Sequence, residues 1–173
     1  MAVNNRAKTR NGPVAPNSKR RKEVTAALKE LVGEDSLLGA HLLDAAVAGA
    51  ILARNPSNKE ARKEAVRVWT EIEAIISHHL TSEDDVVLPW AELQPGFPRK
   101  LIERAHERLG KLRRLARTVH EASFARGSNP EIAQAGRALC AFAVHLDDLI
   151  DGEERSLFPM LQRTLFKSTE PAA

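Results

Sequence analysis

The segment from His79 to Pro89 constrains this chain more than any other. His79 stands four residues before Glu83, and Pro89 follows six residues after that glutamate. Because a helical turn takes 3.6 residues, His79 and Glu83 lie on one face of a helix, one above the other. A histidine and a carboxylate in this arrangement can bind one metal ion, or contribute one ligand to each of two adjacent ions.

A related segment lies near the other end of the chain. Glu153 precedes Pro159 by the same six residues, but Leu149 stands where the second histidine would be. The repetition predicts that two long helices carry the same device, with one ligand missing from the second copy.

The composition and the pattern of apolar residues predict an all-α fold. The chain has 173 residues, which suits one domain, and no stretch shows the period-two alternation of strands. Turn residues separate four long helical segments, the first of them over residues 36–54 with Ser36 as its N-cap. We therefore predict an up-down-up-down four-helix bundle. A short extra N-terminal helix over residues 23–32, closed by Gly33, precedes it.

The charge is distributed unevenly along the chain. Residues 1–22 contain seven lysines and arginines and no acidic residue, so the net charge of +3 leaves about −4 for the rest. We predict a disordered basic tail over residues 1–22, the bundle over residues 23–167 and a frayed C-terminus over residues 168–173. A solvated leader is the preferred interpretation of the tail, and nucleic acid is expected as a partner only through it.

The remaining bulk features bear on location. No apolar run follows the N-terminus as in a secretory signal, and the longest apolar run is too short to span a bilayer. The single cysteine fits a reducing compartment. We expect a cytoplasmic protein with no membrane association.

Each predicted long helix places a histidine or a glutamate on its buried side. A lone histidine there is often an ordinary core residue, but a glutamate on a core-facing stripe must be paired, protonated or bound to a cation. Five such groups on four inward stripes indicate a metal site, and nitrogen and carboxylate ligands without a thiolate suit iron, manganese or zinc. These five residues are His41, His79, Glu83, His106 and Glu153.

At these residues the chain resembles the hemerythrin-like, or HHE cation-binding, family. The resemblance covers roughly residues 34–165. It rests on His41 in the first long helix and on the strings HHLTSEDDVVLP, ERAHERLGKL and GEERSLFPML in the second, third and fourth.

The resemblance implies a four-helix bundle with a non-haem di-iron centre bridged by carboxylates. It implies that His41 and His79 serve one iron, that Glu83 and Glu153 are bridges and that His106 serves the other iron. Dioxygen, another small diatomic molecule or peroxide is then the expected partner.

The chain departs from the family pattern at two positions. Leu149 replaces a histidine one turn before Glu153, and Gly110 replaces the extra histidine that oxygen carriers of the family have in the third helix. Both losses fall on the same iron, so the site is expected to be incomplete, either mononuclear or an asymmetric di-iron centre. Redox sensing, chemistry with peroxide or nitric oxide, and iron handling fit this site better than reversible dioxygen carriage.

Two other functions fit the same predicted bundle. Small residues could open a cavity for haem or another bulky ligand, with His145 or His41 as an axial ligand. Alternatively, the bundle could be a metal-free interaction module that makes contact through its tail.

Overall fold

Helices make up most of the part of the chain that the structure describes. The computed structural model describes residues 18–122, 124 and 126–167, and those residues contain no strand. In chain order the elements are α1 (Ser18–Gly39), α2 (Leu42–Arg54), α3 (Lys59–Ser82), a first π segment (Glu83–Val87), α4 (Leu88–Glu92), α5 (Arg99–Glu121), α6 (Asn129–Gly152), a second π segment (Glu153–Leu157) and α7 (Phe158–Lys167). The all-α class is confirmed, whereas the up-down-up-down order of four helices stays a prediction.

The N-terminal helix is longer than predicted. α1 runs from Ser18 to Gly39, so the prediction that it spans residues 23–32 and ends at Gly33 is wrong. A glycine inside a helix costs about 1 kcal/mol relative to alanine, and burial of one continuous apolar stripe outweighs that cost. The stripe consists of Val24, Ala27, Leu28, Leu31 and Leu38.

The ends of the predicted domain change accordingly. Residues 18–22, which were predicted to belong to the disordered tail, are helical. The predicted tail over residues 1–17 and the predicted frayed end over residues 168–173 lie outside the described residues.

The first long helix is broken where it was predicted to be continuous. α1 ends at Gly39 and α2 begins at Leu42, with a bend of 46° between them. Ser36, the predicted N-cap, therefore lies inside α1. Among the described helices, none is both long and apolar enough to cross a membrane alone; α1 and α2 meet those criteria only as a bent pair.

Side chains fix where two of the other helices begin. The side chain of Asn58 accepts a hydrogen bond of 2.9 Å from the backbone N–H of Ala61, so Asn58 is the N-cap of α3. Ser128 is the N-cap of α6. The backbone N–H of Ser128 donates to the Glu131 carboxylate at 2.8 Å. A glutamate three residues after the cap makes this arrangement favourable.

α2 and α6 approach each other closely where both have a glycine. A Cβ atom added to Gly49 would lie 2.6 Å from the backbone nitrogen of Cys140 and from the carbonyl oxygen of Gly136. A Cβ atom on Gly136 would lie 2.8 Å from the carbonyl oxygen of Gly49. These backbones can therefore pack directly against each other only because neither residue has a side chain.

We predict that Gly49→Ala lowers the free energy of unfolding by about 2–3 kcal/mol, because the methyl group overlaps backbone atoms that cannot rotate away. Gly33→Ala is the matched control. No atom lies within 4 Å of its added Cβ, so this substitution should raise stability by about 0.5–1 kcal/mol. Chemical denaturation of the three proteins tests both values, and an unaffected Gly49→Ala variant would contradict this packing.

Candidate metal centre

Each of the two repeated glutamates begins a π-helical segment. The backbone N–H of Leu88 donates to the carbonyl of Glu83, five residues earlier, and the same bond closes the segment that Glu153 begins. Such turns hold one more residue than an α-helical turn and often occur at functional sites. A proline comes next in both copies, Pro89 and Pro159. Because proline has no N–H and crowds the preceding turn of an α-helix, the wider turn accommodates it.

Four ionisable side chains are buried together where these segments begin. Glu83 and His79 are fully buried, Glu153 is 1% exposed and Asp35 is 2% exposed. All the carboxylate oxygens and ring nitrogens of these four residues lack a hydrogen-bond partner. Buried polar atoms in native proteins almost always have partners, so this group requires a cation or bound protons.

The geometry brings three of these side chains around one point. The Nε2 atom of His79 lies 3.7 Å from Oδ1 of Asp35 and 3.7 Å from Oε2 of Glu153. One donor atom of each residue lies within 4.8 Å of the other two. Ligands about 2.1 Å from a tetrahedral ion are about 3.4 Å apart, so a small inward movement would let all three bind one ion.

Glu83 lies next to this group, beside Glu153. Its position is evident from the mutual electrostatic effect of the two carboxylates. Two ionised carboxylates are both acceptors and cannot hydrogen-bond to each other. A proton or a cation is therefore needed between Glu83 and Glu153.

Glu34 contacts the opposite edge of the His79 ring. Its Oε2 atom lies 3.3 Å from Nδ1 of His79, and its Oε1 atom lies 2.6 Å from Nδ1 of His78. Histidines that bind metals usually direct their second nitrogen to a carboxylate, which fixes the ring orientation. Glu34 thus leaves Nε2 of His79 directed at Asp35 and Glu153.

Burial and mutual repulsion raise the pKa values of the acidic side chains in this group. Burial raises the pKa of Asp35 from 3.8 to about 6, although the nearby His79 opposes the rise. Burial and then the charge of Glu153 raise the pKa of Glu83, and burial and then the charge of Asp35 raise the pKa of Glu153. Without a cation, the group is stabilised by taking up protons.

Sequence reasoning missed Asp35. A helix that ends at Gly33 leaves Asp35 outside both predicted helices, over residues 23–32 and 36–54. The signal was nonetheless present, because Leu28, Leu31, Asp35 and Leu38 follow the spacing of a buried helical stripe if the helix continues through Gly33.

The structure does not bring His41 into the group. His41 lies at the break between α1 and α2, and its Nδ1 atom is 3.2 Å from a carboxylate oxygen of Glu71. α1 ends at Gly39, two residues before His41, so His41 does not continue the buried stripe of α1.

His106 is also outside the group. The buried face of α5 consists of Ile102, Ala105, Leu109, Leu112 and Val119, so His106 lies one position off this face. Its Nδ1 atom is 3.2 Å from Asp84 and its Nε2 atom is 3.2 Å from Glu92. Both ring nitrogens thus face surface carboxylates.

The other positions singled out in the sequence lie as follows. Leu149 is 1% exposed and belongs to the core one turn before Glu153. His145 is partly exposed on α6, with its Nδ1 atom 3.8 Å from Asp148. An axial role of His145 toward haem stays a prediction. Gly110 is partly buried in α5.

The residues fit a metal ion. Three carboxylates and one imidazole are buried without partners, and their charges repel one another unless a cation lies between them. Oxygen and imidazole donors without a thiolate suit a divalent or trivalent ion of intermediate to hard character.

Comparison with known families gives the same answer. A model of the hemerythrin HHE cation-binding domain matches residues 35–161. The chain belongs to this family, and the resemblance inferred from the sequence is confirmed. A comparison with curated proteins found no match, and a comparison with solved structures found none either.

We predict that the metal-free protein loses stability as the pH rises from about 4 to about 6. In this range the folded protein retains protons on Asp35 and its neighbours that the unfolded chain has released. Their contribution is complete below the unfolded pKa and disappears as the pH passes the folded pKa. Chemical denaturation in the presence of a chelator measures this dependence.

A neutral variant provides the control. Asp35→Asn should flatten the pH dependence, because one of the shifted acids is removed. Saturating metal should reverse its sign, since protons compete with the cation for the same atoms. If the stability of the metal-free parent protein and that of Asp35→Asn depend on pH in the same way, the assignment is contradicted.

Proposed function

We propose that this chain is a non-haem iron protein whose buried site responds to dioxygen or peroxide. The observation that carries the proposal is the buried group of Asp35, His79, Glu83 and Glu153, which lacks hydrogen-bond partners. Membership of the HHE cation-binding family supports a metal in the same region of the chain.

The charge of the donor residues favours this function over reversible dioxygen carriage. Three carboxylates and a neutral imidazole carry a charge of about −3, which stabilises a trivalent ion more than a divalent one. Iron supplies one-electron chemistry with small oxidants in such a site. The carboxylates bias that chemistry toward the oxidised state, which suits a sensor or a scavenger of oxidants.

The surrounding protein supports the same proposal. Oε2 of Glu34 lies 3.3 Å from Nδ1 of His79, and the four residues of the buried group are at most 2% exposed. Access is thereby restricted to small molecules.

We predict that the protein purified from iron-supplemented culture contains about one ion per chain. Asp35→Asn and His79→Ala should reduce the metal content to below about 0.2 ion per chain, because each removes a charged or ligating atom from the group. Elemental analysis with protein quantification measures this.

His41→Ala and His106→Ala are the matched controls, since each removes a histidine that lies outside the buried group. Both should keep the metal content of the parent. If His41→Ala or His106→Ala loses metal while Asp35→Asn retains it, the ligand set is that of the family and not the one proposed here. Parent protein without metal would favour the interaction module.

We further expect that protein loaded anaerobically with Fe²⁺ is oxidised within minutes by a stoichiometric amount of peroxide, because the anionic donors stabilise Fe³⁺. The appearance of a high-spin ferric signal in electron paramagnetic resonance measures the reaction. Iron that stays ferrous under these conditions would instead support a structural or storage role.

A further inference from the structure

Arg108 lies on the inner side of α5, among residues that form the core. The neighbouring positions on this face, Ala105, Leu109 and Leu112, are buried, and Arg108 itself is only partly exposed. An arginine at such a position normally has a partner, because burying a guanidinium without compensation is costly.

The guanidinium of Arg108 lies directly against the backbone of Gly152. A Cβ atom added to Gly152 would overlap Nη1 of Arg108 and lie 2.7 Å from its Cζ atom. Only a residue without a side chain leaves room for the guanidinium there. Gly152, the last residue of α6, is therefore the contact site of the Arg108 guanidinium.

Glu153 follows Gly152 in the chain. Because the guanidinium contacts the residue before Glu153, its positive charge lies near a carboxylate that belongs to the buried group.

We propose that Arg108 is a positioning residue of the metal site. Its guanidinium contacts Gly152, and its fixed positive charge lowers the affinity of the site for metal. This inference rests on the proposed function, since it concerns the same buried carboxylates. Glu34, Asp35, Glu83 and Glu153 would otherwise repel one another strongly in the metal-free protein. Arg108 offsets part of that repulsion, and it repels an entering cation for the same reason. The bound metal consequently remains exchangeable.

Titration of metal-free protein with Mn²⁺ tests this inference, with free Mn²⁺ followed by electron paramagnetic resonance. Arg108→Met should bind Mn²⁺ at least about tenfold more tightly than the parent. Gly152→Ala should have a similar effect although it removes no charge, because its methyl group displaces the guanidinium. Arg108→Lys, which keeps a positive charge, should stay within about threefold of the parent.

Two matched variants control for general effects. Arg104→Met removes an exposed arginine one turn earlier on the same helix. Gly110→Ala adds a methyl group that meets only the end of the Arg114 side chain, at 3.6 Å. Both should leave the affinity for Mn²⁺ unchanged. Unchanged or weaker binding by Arg108→Met, or by Gly152→Ala, would overturn the inference.

A second measurement separates this inference from the proposed function. In the presence of a chelator, Arg108→Met should lower the free energy of unfolding more in the parent protein than in a Glu153→Gln variant, because the two charges act on each other. Equal losses would refute the pairing of Arg108 with Glu153, whether or not metal binds. Parent protein that binds no Mn²⁺ or iron would refute the proposed function and the effect on affinity together.

Discussion

The mutual repulsion of buried carboxylates is the constraint on which the rest of this structure depends. Asp35, Glu83 and Glu153 are enclosed by the core together with His79, and none of their polar atoms has a hydrogen-bond partner. Removing an ion from water costs several kcal/mol even after relaxation, and like charges at short range add to this cost. The fold can hold such a group only with protons, with a cation or with both.

Local features of the helices bring these charged side chains together. α1 continues through Gly33 and thereby brings Asp35 to the core, while the two π segments begin at Glu83 and Glu153 and accommodate the prolines that follow. The direct packing of α2 against α6 at Gly49 keeps the helices close together. Each of these features lowers the intrinsic stability or the regularity of a helix, and burial of the apolar stripes offsets that cost.

The result differs from the arrangement that family resemblance implies. The resemblance assigned three histidines to the site, whereas the structure places one histidine with three carboxylates and directs His41 and His106 toward surface acids. A more anionic group favours metal ions of higher charge. It also makes a compensating cation such as Arg108 useful when no metal is bound, so the proposed redox function and the proposed role of Arg108 have one electrostatic origin.

The sequence by itself determined the helical class, the family and the burial of His79, Glu83 and Glu153. They could be found because helical periodicity puts His79 and Glu83 on one face, and because a core-facing glutamate six residues before a proline occurs twice. Only the tertiary structure decided the places of Asp35, His41, His106 and Arg108. Whether α1 ends at Gly33 depends on the surface it buries. Whether residue 105 or residue 106 faces inward is a difference of one position, which periodicity cannot resolve and which packing of the whole stripe decides.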